Sequence, residues 1–133
     1  MSEKVSSEIE ISRDGKALLI KIHKSTRGAV DILFDTVLQD IESRPIDQPF
    51  YILVDFSSEA VGLTPYMRQR AHETLMKIRQ RKGYFAFIFA TLFGSTMSSI
   101  IMRTYRSAHT FKIFRNQVEA REWLLGQIRE LAV

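Results

Sequence analysis

The sequence predicts an α/β protein with a mixed, mostly parallel sheet of five strands covered by four helices. Residues 7–23 alternate apolar and polar side chains around Asp14-Gly15, a pattern typical of a β-hairpin. Short apolar runs rich in strand-forming residues follow at 50–56, 84–90 and 111–114. Segments with helical periodicity separate these runs. Such alternation favours parallel strands joined by right-handed crossovers.

The hairpin leads into the first predicted helix, over residues 28–43. Thr26 or Ser25 caps its start, and Pro45 ends it because the residue before a proline disfavours helical geometry. Its apolar residues recur at three- and four-residue spacing and form one stripe, made of Val30, Leu33, Phe34, Val37, Leu38 and Ile41. The second arm of the hairpin, 17–20, is apolar at consecutive positions, which favours a strand covered on both faces.

Three further helices are predicted between and after the later strands. The second begins at Thr64-Pro65, since threonine at the N-cap with proline at the first helical position is a strong start signal, and Gly83 stops it. The third follows Gly94-Ser95-Thr96 and runs to Ala108. The fourth follows Asn116, which forms a capping-box pattern with Glu119.

Length and composition indicate a single domain over residues 1–133, with residues 1–6 as a disordered tail. The chain has no cysteine, which excludes disulfides, thiolate metal sites and cysteine nucleophiles. The longest nearly apolar run, 84–93, is half of the ~20 residues that a membrane helix needs. The start of the chain lacks an apolar signal-peptide core. We therefore expect a cytoplasmic protein without a transmembrane segment.

Several local sequences point to a known family. They are residues 51–56 (YILVDF), Gly62-Leu63-Thr64 at a helix start, 111–114 (FKIF) and 119–124 (EAREWL). On these residues the chain resembles the SpoIIAA-like family, bacterial-type proteins with a STAS/SEC14-type domain. The resemblance implies sequential strand order and a role in protein binding and regulation, as in anti-sigma-factor antagonists. It also implies a phosphorylated hydroxyl at a helix start. Thr64 matches that position best, with Ser57 and Ser58 as weaker candidates, although here the hydroxyl follows the glycine.

Loops at the ends of strands supply the other candidate sites. Thr64 is either a phosphorylated switch or simply an N-cap. The Gly94-Ser95-Thr96 segment is either an anion-binding loop or a tight turn capped by Ser95. The loop after β-strand residue Asp55, with Gly62 and Leu63, is a candidate for binding an anion or a partner.

Asp55 itself is expected to accept backbone N–H groups in the following turn. Catalysis is not expected, because the three histidines, His23, His72 and His109, lie in scattered segments without a nucleophile-elbow pattern. They also lack paired metal-ligand spacing, so no metal or other cofactor is predicted.

Two larger residue sets suggest docking and ligand binding. The densest basic cluster is a candidate docking face for an acidic partner or lipid headgroups, or a solvated helix face, and comprises Arg68, Arg70, Lys77, Arg79, Arg81 and Lys82. Nucleic acid is not expected, because aromatics do not interleave with these cations. A second set lines an apolar cavity, as in SEC14-like proteins, or fills the core: Phe85, Phe87, Phe89, Phe93, Met97 and Met102.

These observations lead to two functional hypotheses and one distant third. The first is a non-enzymatic regulatory or protein-interaction module that works through residues 57–67 with a protein partner. The alternative is a SEC14-like module that binds a lipid or another small apolar ligand. The third is a hydrolase that uses Asp55 with loop hydroxyls. A homodimer is compatible with any of these hypotheses.

Overall fold

A computed structural model describes residues 2–91, residue 96 and residues 108–132. These residues form three strands in succession and then helices alternating with strands. The strands are β1 (Ser2–Ser6), β2 (Ile9–Asp14), β3 (Ala17–Ile22), β4 (Phe50–Asp55), β5 (Gly83–Ile88) and β6 (Thr110–Phe114). The helices are α1 (Arg27–Glu42), α2 (Pro65–Ile78) and α3 (Gln117–Ala132).

The strands form one mixed sheet whose spatial order follows the chain, from β1 to β6. The pairs β1–β2 and β2–β3 are antiparallel, whereas β3 through β6 are parallel. A two-residue loop, Gly15-Lys16, joins β2 to β3, and Gly15 has a φ of 60°. A glycine with positive φ at the first loop position is typical of a type II′ turn. The turn therefore lies one residue later than the predicted Asp14-Gly15 pair.

The α/β class and the five predicted strands are present, as β2 to β6. The sequence predicts a disordered tail over 1–6, but residues 2–6 form β1 and pair antiparallel with β2 at the sheet edge. The described residues contain three helices rather than the predicted four, because most of the predicted third helix lies outside the described ranges. Of that segment, Thr96 is helical and Ala108 lies in a bend.

Each face of the sheet is covered by a helical layer. The helices α1 and α2 pack on one face, against core residues such as Ile20, Val54 and Phe85. The helix α3 packs on the other face through Ala120 and Leu124, against a second group of buried residues, Ala17, Tyr51, Leu53, Ala86 and Ile88. All six residues of β4 are buried, which explains why this strand is almost entirely apolar in sequence.

Gly83 serves a different purpose from the one that the sequence suggests. The helix α2 ends at Ile78, with Arg79 as its C-cap, so Gly83 does not stop it. Gly83 instead opens β5 opposite Phe50 in β4, and a Cβ there would overlap the Phe50 ring. The ring can pack against the strand backbone only because residue 83 has no side chain.

The described residues include no helix with both the length and the apolar character that crossing a membrane requires.

Candidate functional site

An apolar cavity of about 90 Å³ lies between the α1–α2 layer and the sheet. Its residues from α1 and α2 are Leu33, Phe34, Val37, Met67, Arg68, Ala71, Thr74 and Leu75. The strands and the segments that follow them contribute Val54, Phe56, Leu63, Phe85, Phe87 and Phe89. Phe56 follows β4 and Phe89 follows β5, so the cavity reaches the carboxyl ends of two parallel strands. Ligands of open α/β sheets commonly bind at that edge.

Phenylalanine rings form the sheet side of the cavity. Residues 85, 87 and 89 are two positions apart and therefore lie on the same face of β5 and its extension. The rings of Phe85 and Phe87 stack with centroids 5.2 Å apart, and those of Phe56 and Phe89 stack at 5.1 Å. This continuous aromatic wall keeps polar backbone groups away from the cavity.

Two polar side chains contribute to this otherwise hydrocarbon lining. Arg68 is exposed, and among the described residues no acceptor or acid contacts its guanidinium. Thr74 is 3% exposed, and its Oγ1 has no hydrogen-bond partner among the described residues. The lining is therefore almost wholly hydrocarbon, with the Arg68 side chain exposed to solvent and the Thr74 side chain buried.

A polar cluster on the outer side of the cavity ties α1 to α2. The guanidinium of Arg70 donates to Asp35 Oδ1 at 2.7 Å and to Asp31 Oδ1 at 3.1 Å. The hydroxyl of Tyr66 also donates to Asp31, and the Arg27 guanidinium lies 4.2 Å from the centre of the Tyr66 ring. The hydrogen bond to Asp35 raises the pKa of Arg70 above its usual value. These contacts hold the two helical walls together.

Two loops meet beside the cavity at the carboxyl edge of the sheet. The Ser58 hydroxyl donates to the backbone oxygen of His23 at 3.0 Å, and the Gly62 N–H donates to Ser25 Oγ at 2.9 Å. The Ser25 hydroxyl in turn donates to the Ala60 carbonyl at 3.5 Å. The loop after β4 is therefore tied to the loop that precedes α1.

A polar depression of about 170 Å³ lies on the opposite face of the sheet, beside the first turns of α3. Its lining residues include Lys21, Leu19, Glu10, Gln117 and Arg121. Arg121 donates to Asp14 at 3.1 Å, and Glu10 contacts His23 at 3.0 Å. These ion pairs already engage much of the charge there. This depression is thus a less specific candidate than the apolar cavity.

Asp55, the last residue of β4, is 3% exposed and accepts the Ser57 N–H at 2.8 Å, as the sequence predicts. Gln117 Nε2 lies 3.4 Å from the second carboxylate oxygen. The carboxylate therefore holds the turn after β4 and connects it to α3. Within the described residues, histidines and acids form no group of three or more that could hold a metal ion.

Comparison of folds places this geometry in a known structural class. The chain is similar to a crystal structure of an uncharacterized protein of the DUF3478 family, with a SpoIIAA-like fold, from Shewanella loihica PV-4. The TM-score is 0.64 at 16% sequence identity, over 87% of this chain and 91% of that chain. The chain has a SpoIIAA-like fold. No protein-family model and no curated protein matches the sequence.

In the SpoIIAA-like fold of this chain, Thr64 lies at the N-cap of α2. Its Oγ1 accepts the Met67 N–H at 3.1 Å, so the hydroxyl caps the helix. Ser58 bonds to backbone, while Gly62 is exposed beside the half-buried Leu63. Of the predicted anion-binding segment, Gly94 and Ser95 lie outside the described residues, and Thr96 is exposed.

The residues of the predicted basic docking face differ in their contacts. Arg68 and Lys77 are exposed, as expected. Arg70 does not belong to a solvated row, because it is committed to Asp31 and Asp35. Arg81 donates to the backbone oxygens of Arg44 and Pro45 at 3.0 and 3.3 Å. Both arginines thus connect elements within the molecule, and the docking face itself stays a prediction.

The sequence identifies only part of the cavity lining. Phe85, Phe87 and Phe89 line it, while Phe85 and Phe87 also pack in the core, so both alternatives for the aromatic run remain open. Phe93, Met97 and Met102 lie outside the described residues. Thr74 is missed, although a threonine beside Leu75 on the apolar side of a helix is a usable signal for a buried hydroxyl.

Proposed function

We propose that this protein is a non-enzymatic binding module that takes the alkyl chain of a small anionic amphiphile into the apolar cavity. The observation that carries this proposal is a hydrocarbon-lined cavity with the exposed Arg68 among its lining residues, and no other residue in the described part of the chain pairs with its guanidinium. The first property suits an alkyl chain. The second suits a carboxylate or phosphate head.

The energetics favour an apolar occupant. An apolar cavity without contents forfeits dispersion contacts along its walls, and an alkyl chain restores them. Burial of apolar surface contributes ~25 cal/mol per Å². An engineered cavity of ~150 Å³ lined by aliphatic and aromatic side chains stays dry and binds benzene. At about 90 Å³, this cavity is smaller, so it holds a segment of an alkyl chain rather than a long chain in full.

The lining chemistry favours binding over bond-making. The described lining is almost wholly hydrocarbon, and its two polar residues are Arg68 and Thr74. A guanidinium stays protonated and does not act as a base. The nearby carboxylates Asp31 and Asp35 are held by Arg70. A nucleophilic role for the Thr74 hydroxyl needs an adjacent base, which this lining does not supply.

Octanoate and 1-octanol, titrated into isotope-labelled protein and followed by NMR, test the proposal. We expect both probes to shift the resonances of Phe87, Met67 and Leu75. The variant Arg68→Gln should weaken octanoate binding about tenfold, since a hydrogen bond to a charged group contributes ~1.5–3 kcal/mol and exposure reduces that value. It should leave octanol binding unchanged.

The matched control is Lys77→Gln, which removes another exposed cation of α2 that does not line the cavity. It should leave octanoate affinity unchanged. Equal losses in Arg68→Gln and Lys77→Gln would reduce the role of Arg68 to general electrostatic attraction. Shifts confined to the polar depression around Lys21 and Arg121 would exclude the apolar cavity as the site.

A second candidate function is the STAS-like protein-interaction role, and the tied loops beside the cavity favour it. Glu59, Ala60 and Gly62 are exposed on a loop that several hydrogen bonds hold in place. A surface held in one conformation binds a partner with a lower entropic cost.

Affinity purification from the native cell should then recover one partner with the wild type and lose it with Ala60→Arg. The same eluate, read by mass spectrometry, would show bound lipid and any phosphoryl group on Thr64.

A further inference from the structure

Ala71 is the smallest of the described lining residues and lies at the centre of the α2 wall of the apolar cavity. On the surface of a helix, a residue neighbours those that are three and four positions away. For Ala71 these are residues 67, 68, 74 and 75, and all four line the cavity as well. Each of them has a larger side chain, so the α2 wall is thinnest at Ala71.

Close packing does not account for an alanine at this position. An alanine on the inner side of a helix often lets another element approach closely, since the distance between packed elements depends on the side chains at the contact. Ala120 serves in this way where α3 packs on the sheet, and it is fully buried. Ala71 differs, because it is only half-buried and adjoins the cavity.

The exposure of Ala71 marks where the cavity reaches solvent along α2. Arg68 is exposed and Ala71 is half-buried, whereas the other described lining residues of α2 are buried. Residues 68 and 71 are three positions apart and therefore neighbours on the helix surface. The exposed cation and the thinnest part of the wall thus lie side by side.

Building on the proposed function, we infer that Ala71 is a specificity-determining residue of the cavity. The short side chain at position 71 leaves the space through which an alkyl chain runs from a head group at Arg68 into the cavity. A larger side chain and the ligand would compete for this space. Filling a cavity commonly stabilises a folded protein. Alanine therefore keeps the site open, although a larger residue would make the ligand-free protein more stable.

Calorimetry with octanoate and thermal unfolding without ligand test this inference on Ala71→Leu. Leucine has nearly the helix propensity of alanine, so the substitution changes mainly the volume at position 71. We expect octanoate affinity to fall at least ~tenfold, since about two methylene groups of the ligand lose their place in the cavity. The ligand-free variant should unfold at a temperature roughly 2–8 °C higher than the wild type. A substitution that only disrupts the fold would lower both quantities.

Ala71→Met provides a second filling side chain that adapts to irregular gaps, and it should show the same two effects. Gln69→Leu is the matched control, because it adds leucine at an exposed position of α2 outside the described lining, and it should change neither quantity. Wild-type octanoate affinity in Ala71→Leu, or lower unfolding temperatures in both Ala71 variants, would overturn the inference and leave the proposed function standing. Failure of octanoate to bind the wild type in an Arg68-dependent way would overturn both.

Discussion

At the scale of single residues, His109 is the group whose protonation the fold perturbs most clearly. The imidazole is 7% exposed and packs against Phe50 and Phe85, with ring centroids 5.8 and 5.2 Å away. This burial lowers the pKa of His109 from 6.5 to about 4, because the charged form loses hydration among the rings. The native protein therefore holds His109 neutral over most of the physiological range.

This lowered pKa predicts a pH-dependent stability. Between pH 6.5 and 4 the unfolded chain binds a proton at residue 109 and the native chain does not, so the free energy of unfolding decreases as the pH falls through this window. The contribution is on the order of 3 kcal/mol across the window. Denaturant unfolding of wild type and His109→Gln at pH 7, 6, 5 and 4 measures it.

The variant should lose less stability than the wild type on acidification. His72→Gln serves as the control, because His72 is exposed on α2 and should retain the pH dependence of the wild type. If His109→Gln and wild type lose stability in parallel, other groups account for the acid sensitivity.

At the scale of elements, side-chain caps fix where the helices begin. Thr26, Thr64 and Asn116 each accept the backbone N–H three residues later, at 3.3, 3.1 and 2.9 Å. These three starts follow from the sequence, because the cap and the apolar periodicity are both local. The end of α2 cannot be predicted from the sequence in the same way. Gly83 resembles a helix stop, but a glycine is required there because of its contact with Phe50 in β4.

The cap at Thr64 yields a prediction that separates its structural role from a switch. Thr64→Ala should lower the free energy of unfolding by about 1 kcal/mol, because the Met67 N–H loses its partner. Thr64→Asp should retain most of the stability, since aspartate caps well and its charge suits a helix N-terminus. Thermal and denaturant unfolding measure both variants. An unchanged stability in Thr64→Ala would show that the cap is dispensable.

The strand β1 shows a limit of local patterns. Residues 2–6 are mostly polar and do not alternate, so the sequence predicts a tail there. The edge of β2 offers unpaired backbone groups, and hydrogen bonding to them is independent of side-chain pattern. Whether such pairing forms depends on which strand lies at the edge of the sheet. A short stretch of sequence does not show this.

At the scale of the whole molecule, the candidate site depends on contacts that are distant in sequence. The hairpin, the alternating order and the fold class follow from local periodicity, and the fold comparison agrees with them. The role of Arg70 does not follow, because its partners Asp31 and Asp35 belong to another helix. On a helical wheel Arg70 and Arg68 lie about 200° apart, and the wheel alone does not show which of them meets another helix. The packing of α1 on α2 pairs Arg70 with Asp31 and Asp35, whereas Arg68 has no pairing partner in the described ranges.

This difference between neighbouring arginines predicts opposite effects on stability and on ligand response. Arg70→Gln removes the contacts to Asp31 and Asp35, so the ligand-free protein should lose about 1 kcal/mol, the scale of a partly exposed ion pair. It should still be stabilised by octanoate. A ligand that binds only the native state adds ~1.4 kcal/mol when it is present at tenfold its dissociation constant.

Arg68→Gln should behave in the reverse way. Its ligand-free stability should equal that of the wild type, because no described residue pairs with the Arg68 guanidinium. At the octanoate concentration that stabilises the wild type, its unfolding midpoint should rise much less, because binding is weaker. Denaturant unfolding of the three proteins with and without octanoate measures both effects together. If both substitutions reduce ligand-free stability and ligand response alike, the two arginines do not have the separate roles that their contacts indicate.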